Sequence, residues 1–484
     1  MAKPVNKKKV VSGLAWQYAE KCGAEVIQFV VSIIIARILS PSDYGLIGLI
    51  TVFISVAGVF VSSGLGQALV QRKEIDNKDY STVFFYSLAF SVLIYGILFF
   101  IAPYIAKFYS SPTLIQIVRV LGLTVIVGSI NGVQRSYVQK TMQFRRFFVS
   151  TLWGKGISAI IGISLAYAGY GVWALVGQQL SMTITDTVVL WITVKWRPQL
   201  TFSVKRMKEM FSFGWKLLCS SLIDTIYNNI YSLVIGKTYS TSDLGFYNRG
   251  KQFPMLIINN INSSIQSVLF PVLSEVQDEK ERLKSMVRRS MVTSTFLIFP
   301  AMAGLAAIAE PLTVILLTDK WLPAVPFIQF CCFTYAFWPI STANLQAINA
   351  LGRSDIFLKL EIIKKIIGII VLVLTLPHGL MVMMTARCFN TVLSSFINAY
   401  PNKKLLGYTY LEQVKDVAPS LVLSLIMAVA VLPITLLEIA PVLQIIVQII
   451  VGVAVYFGLA KLFKFECLKY IINTIKGFVS KKKG

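Results

Sequence analysis

Apolar runs of about 20 to 27 residues recur along almost the whole chain, and no other feature constrains the fold as strongly. A helix needs about 20 such residues to cross roughly 30 Å of hydrocarbon. Fourteen candidates lie near 12–38, 44–70, 81–106, 114–138, 148–168, 171–194, 213–236, 253–274, 290–317, 325–350, 357–376, 379–399, 415–436 and 440–462. The runs are continuous, whereas barrel strands alternate over roughly ten residues, so helices are expected. The fold class predicted is an all-α integral membrane protein of about 14 transmembrane helices. The connectors are short, and the longest polar ones, near 195–212 and 275–289, leave no room for a catalytic domain in water. The first run is too long for a signal peptide, and no small-residue cleavage site follows it.

Composition agrees. Apolar residues make up 56% of the 484, only 14% are charged, and the net charge is +24. Soluble chains are about 45–50% apolar and about 25% charged. A soluble enzyme, a disordered chain and a disulfide scaffold are excluded, and a mean hydropathy of +0.70 excludes a nucleic-acid-binding protein. The basic residues alternate along the chain. On the even-numbered connections and both tails stand 31 of the 46, among them Arg72, Arg135, Lys140, Arg206, Arg288, Arg289, Lys403 and Lys404. Because cytoplasmic loops gather Lys and Arg, an even span count with both termini in the cytoplasm follows. Fourteen is favoured, and twelve stays open. The tail around 463–478 is either a solvated basic end or lies on anionic headgroups.

An internal repeat is legible. Ser40 to Gly45 reads SPSDYG, and Ser240 to Gly245 reads STSDLG at an offset of 200 residues. Gln134 has a counterpart in Gln346. Six spans per copy give both copies the same orientation, as in two-lobed transporters that hold substrate between lobes. The division expected is 1–212 for an N-lobe (spans 1–6), 213–404 for a C-lobe (spans 7–12), and 405–484 for spans 13 and 14 with a basic cytoplasmic tail.

Polar residues inside the bilayer are costly and usually face a cavity. Span 1 carries Gln17, Lys21, Glu25, Gln28 and Ser32 at helical spacing, with Lys21 and Glu25 able to pair. Span 7 carries Lys216, Ser220, Asp224, Tyr227, Asn228 and Tyr231, and span 8 adds Asn259. Arg119, Lys155, Asp186 and Arg387 stand more alone, and Lys364 and Lys365 lie in span 11. One reading is a hydrophilic, partly cationic cavity in which Arg and Lys hold phosphate or acidic sugars, with Asp224 or Asp186 taking up a coupling ion. The other is structural: interhelical ion pairs, and long side chains that snorkel to the headgroups.

No GxxxxGK[ST], HExxH or GxSxG motif is present. His378 stands alone in an outer turn. The six cysteines fall in or near apolar segments, which suits buried thiols, and Gly128 and Gly132 form a GxxxG expected to serve close helix packing. No metal or cofactor is expected.

The stretch Ala36 to Gln71, ARILSPSDYGLIGLITVFISVAGVFVSSGLGQALVQ, resembles the N-terminal hallmark of polysaccharide flippases. QKTMQFRRF (Gln139 to Phe147), GYGVWALVGQQL (Gly169 to Leu180) and STSDLGFYNRGKQFP (Ser240 to Pro254) are similar to other stretches of that family. It belongs to the multidrug/oligosaccharidyl-lipid/polysaccharide exporter superfamily, and the nearest group is named for lipopolysaccharide, colanic acid and teichuronic acid export. The resemblance implies two six-helix lobes that move undecaprenyl-diphosphate-linked oligosaccharide to the outer leaflet by alternating access, coupled to H⁺ or Na⁺. It implies a multi-pass protein of the cytoplasmic membrane that is no enzyme. Its partners would be the lipid-linked oligosaccharide, the coupling ion and membrane lipids, without nucleic acid. A monomer is expected, with polysaccharide assembly machinery as an optional associate. The hallmark Pro41, Asp43 and Gly45 fall in a short turn and read as structural. A multidrug/cation antiporter is the alternative, although a cavity for cations should be acidic. A polysaccharide polymerase or glycosyltransferase would need a longer outer loop than 237–252.

Overall fold

The computed structural model describes the backbone at 7–62, 64–72, 75–437, 439–465, 467–469 and 473, and side chains from position 23 onward, apart from Phe213, Ser264, Ser267 and Val268. Among the described residues every regular element is helical. The order is α1 (Lys7–Ile38), α2 (Pro41–Ser62), α3 (Leu65–Gln71), α4 (Asn77–Phe108), α5 (Thr113–Lys140), α6 (Arg145–Tyr167), α7 (Val172–Thr193), α8 (Val204–Thr238) and α9 (Thr241–Glu275). There follow α10 (Lys280–Ala307), α11 (Ala309–Leu317), α12 (Val325–Ala336), α13 (Trp338–Ala350), α14 (Ser354–Thr375), α15 (Leu380–Leu406), α16 (Tyr410–Val431) and α17 (Pro441–Leu462).

Nine helical stretches among the described residues are long and apolar enough to cross a bilayer. Another five, α1, α7, α8, α9 and α14, have the length, at 22 to 35 residues, but carry more polar groups. At 1.5 Å per residue, even the shortest covers roughly 30 Å. The result is consistent with a bundle of twelve to fourteen spans.

Three of the expected spans are interrupted. Run 44–70 becomes α2 and α3, parted at Gly64, whose φ of +67° suits glycine's lack of a Cβ. Run 290–317 breaks at Ile308 between α10 and α11, and run 325–350 breaks at Phe337 between α12 and α13. The repeat motif caps its helices the same way in both copies. Ser40 N donates to Asp43 Oδ2 at 3.0 Å and Ser240 N to Asp243 Oδ2 at 3.1 Å. In return each Ser Oγ accepts from the Asp backbone N–H, at 3.3 and 3.0 Å. Such reciprocal caps satisfy helix N–H groups that have no partner within the helix, so Asp43 is structural, as the sequence suggested.

The chain divides into two compact units, Met1–Gly245 and Phe246–Gly484. In the first, Leu65, Leu69, Tyr80, Phe84, Leu190 and Trp196 form a buried cluster, and Ile35, Leu39, Ala166 and Ala174 join α1, α6 and α7. In the second, Phe296, Leu423, Met427, Tyr456 and Ala460 lock α10, α16 and α17 together, with Tyr456 OH donating to the Phe296 carbonyl at 2.7 Å. Large apolar side chains such as Phe100, Ile192, Phe389 and Val429 stand exposed. In water such a surface would aggregate; against lipid it matches its solvent, while the helices satisfy their own backbone groups.

Candidate functional site

In the first unit, α6 brings Lys155 to α1, where its Nζ donates to Gln28 Oε1 at 2.5 Å. A second cluster joins α5 to α7. Asp186 is 6% exposed. Its Oδ2 accepts from Asn131 Nδ2 at 2.6 Å and from Arg135 Nη2 at 2.7 Å. Asp186 Oδ1 and Asn131 Oδ1 are buried without a protein partner. A buried acceptor left unmet costs about 1–3 kcal/mol.

Arg135 lies with its guanidinium 5.5 Å from the Phe147 ring centroid and half its side chain exposed. It borders a cavity of about 350 Å³ rimmed by Ser62, Ser87, Ser129 and Ser136. Gly128 and Gly132 line the same cavity, and a Cβ at either would meet nothing within 4 Å. The expected helix-packing role of this GxxxG is therefore corrected: the pair opens space instead of closing a helix contact.

On α8, Lys216, Asp224 and Asn228 are exposed and Tyr227 is half-buried. Glu25 on α1 is half-buried, whereas Gln17 and Lys21 fall outside the described side chains. Arg119 is turned into its own unit, with its guanidinium 4.0 Å over the Phe99 ring and its Nε 3.4 Å from the Phe99 carbonyl. It ties α5 to α4. Gln134 is buried and donates to the Trp196 carbonyl at 3.1 Å. In the second unit Gln346 is only partly buried, and the buried amide is Asn344, bonded to Gln413 and Asn402.

The second unit has its own cationic centre. Arg387 on α15 donates to Tyr247 OH on α9 at 2.5 Å, and Lys251 Nζ lies 5.5 Å from the same ring. Asn259, three turns along α9, is exposed. Lys364 is engaged with Glu361 one turn away.

A family model described as polysaccharide biosynthesis protein matches residues 34–326, more than half of the chain. The chain belongs to this polysaccharide biosynthesis protein family. Two relatives extend the likeness. The succinoglycan biosynthesis transport protein ExoT of Rhizobium meliloti is 24% identical, over 74% of this chain and 72% of its own. The teichuronic acid biosynthesis protein TuaB of Bacillus subtilis is 25% identical, over 73% and 74%. Among solved structures, the lipid II flippase MurJ in an inward closed conformation superposes with a TM-score of 0.75 at 14% identity, covering 93% of this chain and 98% of its own. At that identity the likeness speaks for the fold, and it agrees with the helical exporter architecture expected.

For this polysaccharide biosynthesis protein, sequence reasoning missed Asn131, Arg135 and Tyr247. Arg135 reads as a cytoplasmic loop cation, although it stands four residues from Asn131 and so on the same helix face. That spacing was the available signal. Tyr247 had none, since its partner is 140 residues away.

Proposed function

We propose that this multi-pass membrane protein flips a lipid-linked oligosaccharide, an undecaprenyl-diphosphate-linked polysaccharide repeat unit, from the cytoplasmic to the outer leaflet by alternating access. The observation that carries the reading is family membership over residues 34–326, joined by relatives named for succinoglycan transport and teichuronic acid biosynthesis. Charged groups retained in apolar helices support it, because their cost in hydrocarbon is met only where function or pairing requires them.

In this reading Lys155, Lys216, Tyr227, Asn228, Glu25, Lys21 and Gln17 of the first unit, and Arg387 and Asn259 of the second, are the polar groups offered to diphosphate and sugar. Arg119 is left out, since it serves the α4–α5 contact. Asp186 or Asp224 takes up the coupling H⁺ or Na⁺. The protein works as a monomer in the cytoplasmic membrane with both termini inside, and its repeat units are 1–212 and 213–404, followed by 405–484. A drug antiporter is less well supported, because the embedded charge leans basic.

Deleting the gene tests the reading. The expected result is a lipid-linked glycan stranded on the inner leaflet, which mass spectrometry of extracted lipids would identify. Normal delivery of that glycan to the outer leaflet, in a strain without a related transporter, would overturn it.

A further inference from the structure

Among the described residues, none of those assigned above to diphosphate and sugar lines the cavity of about 350 Å³ among α2, α4 and α5 of the first unit. Three glycines keep that cavity open. Gly58 stands on α2, Gly128 and Gly132 on α5, and a Cβ at any of them would meet nothing within 4 Å. Glycine weakens a helix interior relative to alanine, and here no close approach of another backbone calls for it. What the three residues provide is the space itself. At about 30 Å³ per liquid water, the space holds roughly a dozen waters. A bare cation, with oxygen ligands at about 2.0–2.6 Å, is too small for it.

The wall is polar in a particular way. Ser62 Oγ donates to the Val59 carbonyl at 2.9 Å, Thr124 Oγ1 to the Leu121 carbonyl at 2.5 Å and Ser136 Oγ to the Gly132 carbonyl at 3.1 Å. Each has spent its one O–H, so what it keeps for the cavity is an acceptor oxygen. Ser87 differs. It lines the cavity from α4, is 7% exposed, and makes no hydrogen bond to another described residue through its hydroxyl. Arg135 adds N–H donors at one end. It is the one charged residue in the stretches 54–66, 83–87 and 124–136 that build the wall, and Asp186 Oδ2 answers its charge at 2.7 Å. The wall is therefore close to neutral and rich in acceptors.

That set discriminates between ligands. Phosphate and carboxylate oxygens only accept, so the three spent hydroxyls offer them nothing. A lipid chain would leave the buried Ser87 hydroxyl unpaired, at a cost. A sugar hydroxyl both donates and accepts, and the C–H faces of a sugar ring suit Val61, Val83 and Val125 on the same wall.

We propose that this cavity receives one uncharged sugar ring of the lipid-linked glycan. Ser62, Thr124 and Ser136 accept from its hydroxyls, and Ser87 and Arg135 donate to its oxygens. The site rests on the transport reading and adds where the glycan, as distinct from its diphosphate, is recognised.

Gly128→Leu is the main test, because it fills the cavity where the fold has room, and leucine favours the helix. Gly96→Leu is its control: Gly96 on α4 also has nothing within 4 Å of an added Cβ and lies outside the cavity lining. In cells with matched membrane levels, Gly128→Leu should cut delivery of the glycan to the outer leaflet at least tenfold. Ser87→Ala should cut it about two- to tenfold, the loss of one hydrogen bond, and Gly96→Leu should deliver normally. Saturation-transfer NMR on the purified full chain, in a detergent without sugar, gives the second readout. The probes are the methyl glycosides of glucose, galactose and N-acetylglucosamine and, separately, glucuronate. At least one neutral glycoside should take up saturation from the wild type and not from Gly128→Leu. Normal delivery by Gly128→Leu would leave the cavity to water and overturn the proposal. So would an equal loss in Gly96→Leu, no transfer to any neutral glycoside, or stronger transfer to glucuronate. These outcomes leave the transport reading standing, whereas a gene deletion that strands no glycan would overturn that reading and this site with it.

Discussion

Ser42 Oγ and Thr241 Oγ1 lie 2.8 Å apart, joining two residues 199 positions distant. The contact is part of a reciprocal one. A Cβ on Gly45 would fall 1.7 Å from the Thr241 carbonyl oxygen, and a Cβ on Gly245 would fall 1.9 Å from the Pro41 carbonyl oxygen. Position 41 maps to 241, and 45 to 245, at the repeat offset. The two copies of the motif therefore meet each other, each glycine receiving the other copy's first helical turn, as in an isologous interface. Small residues let helix backbones approach in this way.

This crossing has no room for a methyl group. Gly45→Ala and Gly245→Ala should each force α2 and the start of α9 apart, at a cost of about 1–3 kcal/mol or more, as overpacking does. Gly58→Ala, where a Cβ meets nothing within 4 Å, is the control. Thermal unfolding of the purified variants in detergent reads the difference. A Gly45→Ala protein as stable as the Gly58→Ala protein would show that the crossing relaxes freely.

Much of the fold was legible because lipid imposes a simple rule: about 20 apolar residues per crossing. The helix breaks were not. Gly64 could be suspected from glycine's backbone freedom, but nothing local marks Ile308 or Phe337. The repeat was readable from SPSDYG and STSDLG, yet sequence similarity carries no information that the copies touch. The candidate site was half legible. Asp186 stood out as a charge in an apolar run, while its partner Arg135 was hidden by its place near a helix end, where an Arg reads equally well as a cytoplasmic loop cation.

The Asp186–Arg135 pair should couple energetically. Asp186→Asn removes the anion facing Arg135, and Arg135→Gln leaves a buried carboxylate with Asn131 alone. Breaking a fully buried pair costs about 3–5 kcal/mol. Arg135 is half exposed, so solvent screening lowers the expectation to about 1–2 kcal/mol for each single change. The double variant should recover part of that loss. A thermodynamic cycle from the four unfolding curves measures the coupling, and strict additivity would mean that the ion pair adds nothing.

Acid should loosen one clasp at the helix ends. Asp76 caps α4, accepting from Asp79 N at 3.0 Å, and takes a hydrogen bond from Arg206 at the start of α8. The Arg206 guanidinium holds the Asp76 carboxyl down at about 2, against an ordinary value of 3.8. A depressed carboxyl contributes stability above its unfolded pKa and loses it as pH falls toward the folded one. The clasp should thus persist from neutral pH to about 4 and weaken between about 4 and 2. Hydrogen exchange in the first turn of α4 follows it. Asp76→Asn keeps a good helix cap but removes the charge, so its exchange should already be faster at pH 7 and should show a smaller change between pH 5 and 3. Identical pH profiles in the two proteins would place the acid response elsewhere.

Arg387 gives the sharpest test of the cationic lining. It is anchored to Tyr247 OH through Nη1, and a planar guanidinium fork matches phosphate and carboxylate geometry. If Arg387 meets diphosphate or an acidic sugar, Arg387→Lys should retain part of the transport, because charge survives while the fork is lost. Arg387→Gln should reduce it by roughly tenfold or more, in proportion to one charge-assisted hydrogen bond of about 1.5–3 kcal/mol. Tyr247→Phe removes only the anchor, and should cost less than either. The assay is delivery of the lipid-linked glycan to the outer leaflet in cells carrying each variant at matched membrane levels. A Gln variant that matches wild type would remove Arg387 from the path, whereas equal losses in the Lys and Gln variants would assign its role to geometry instead of charge.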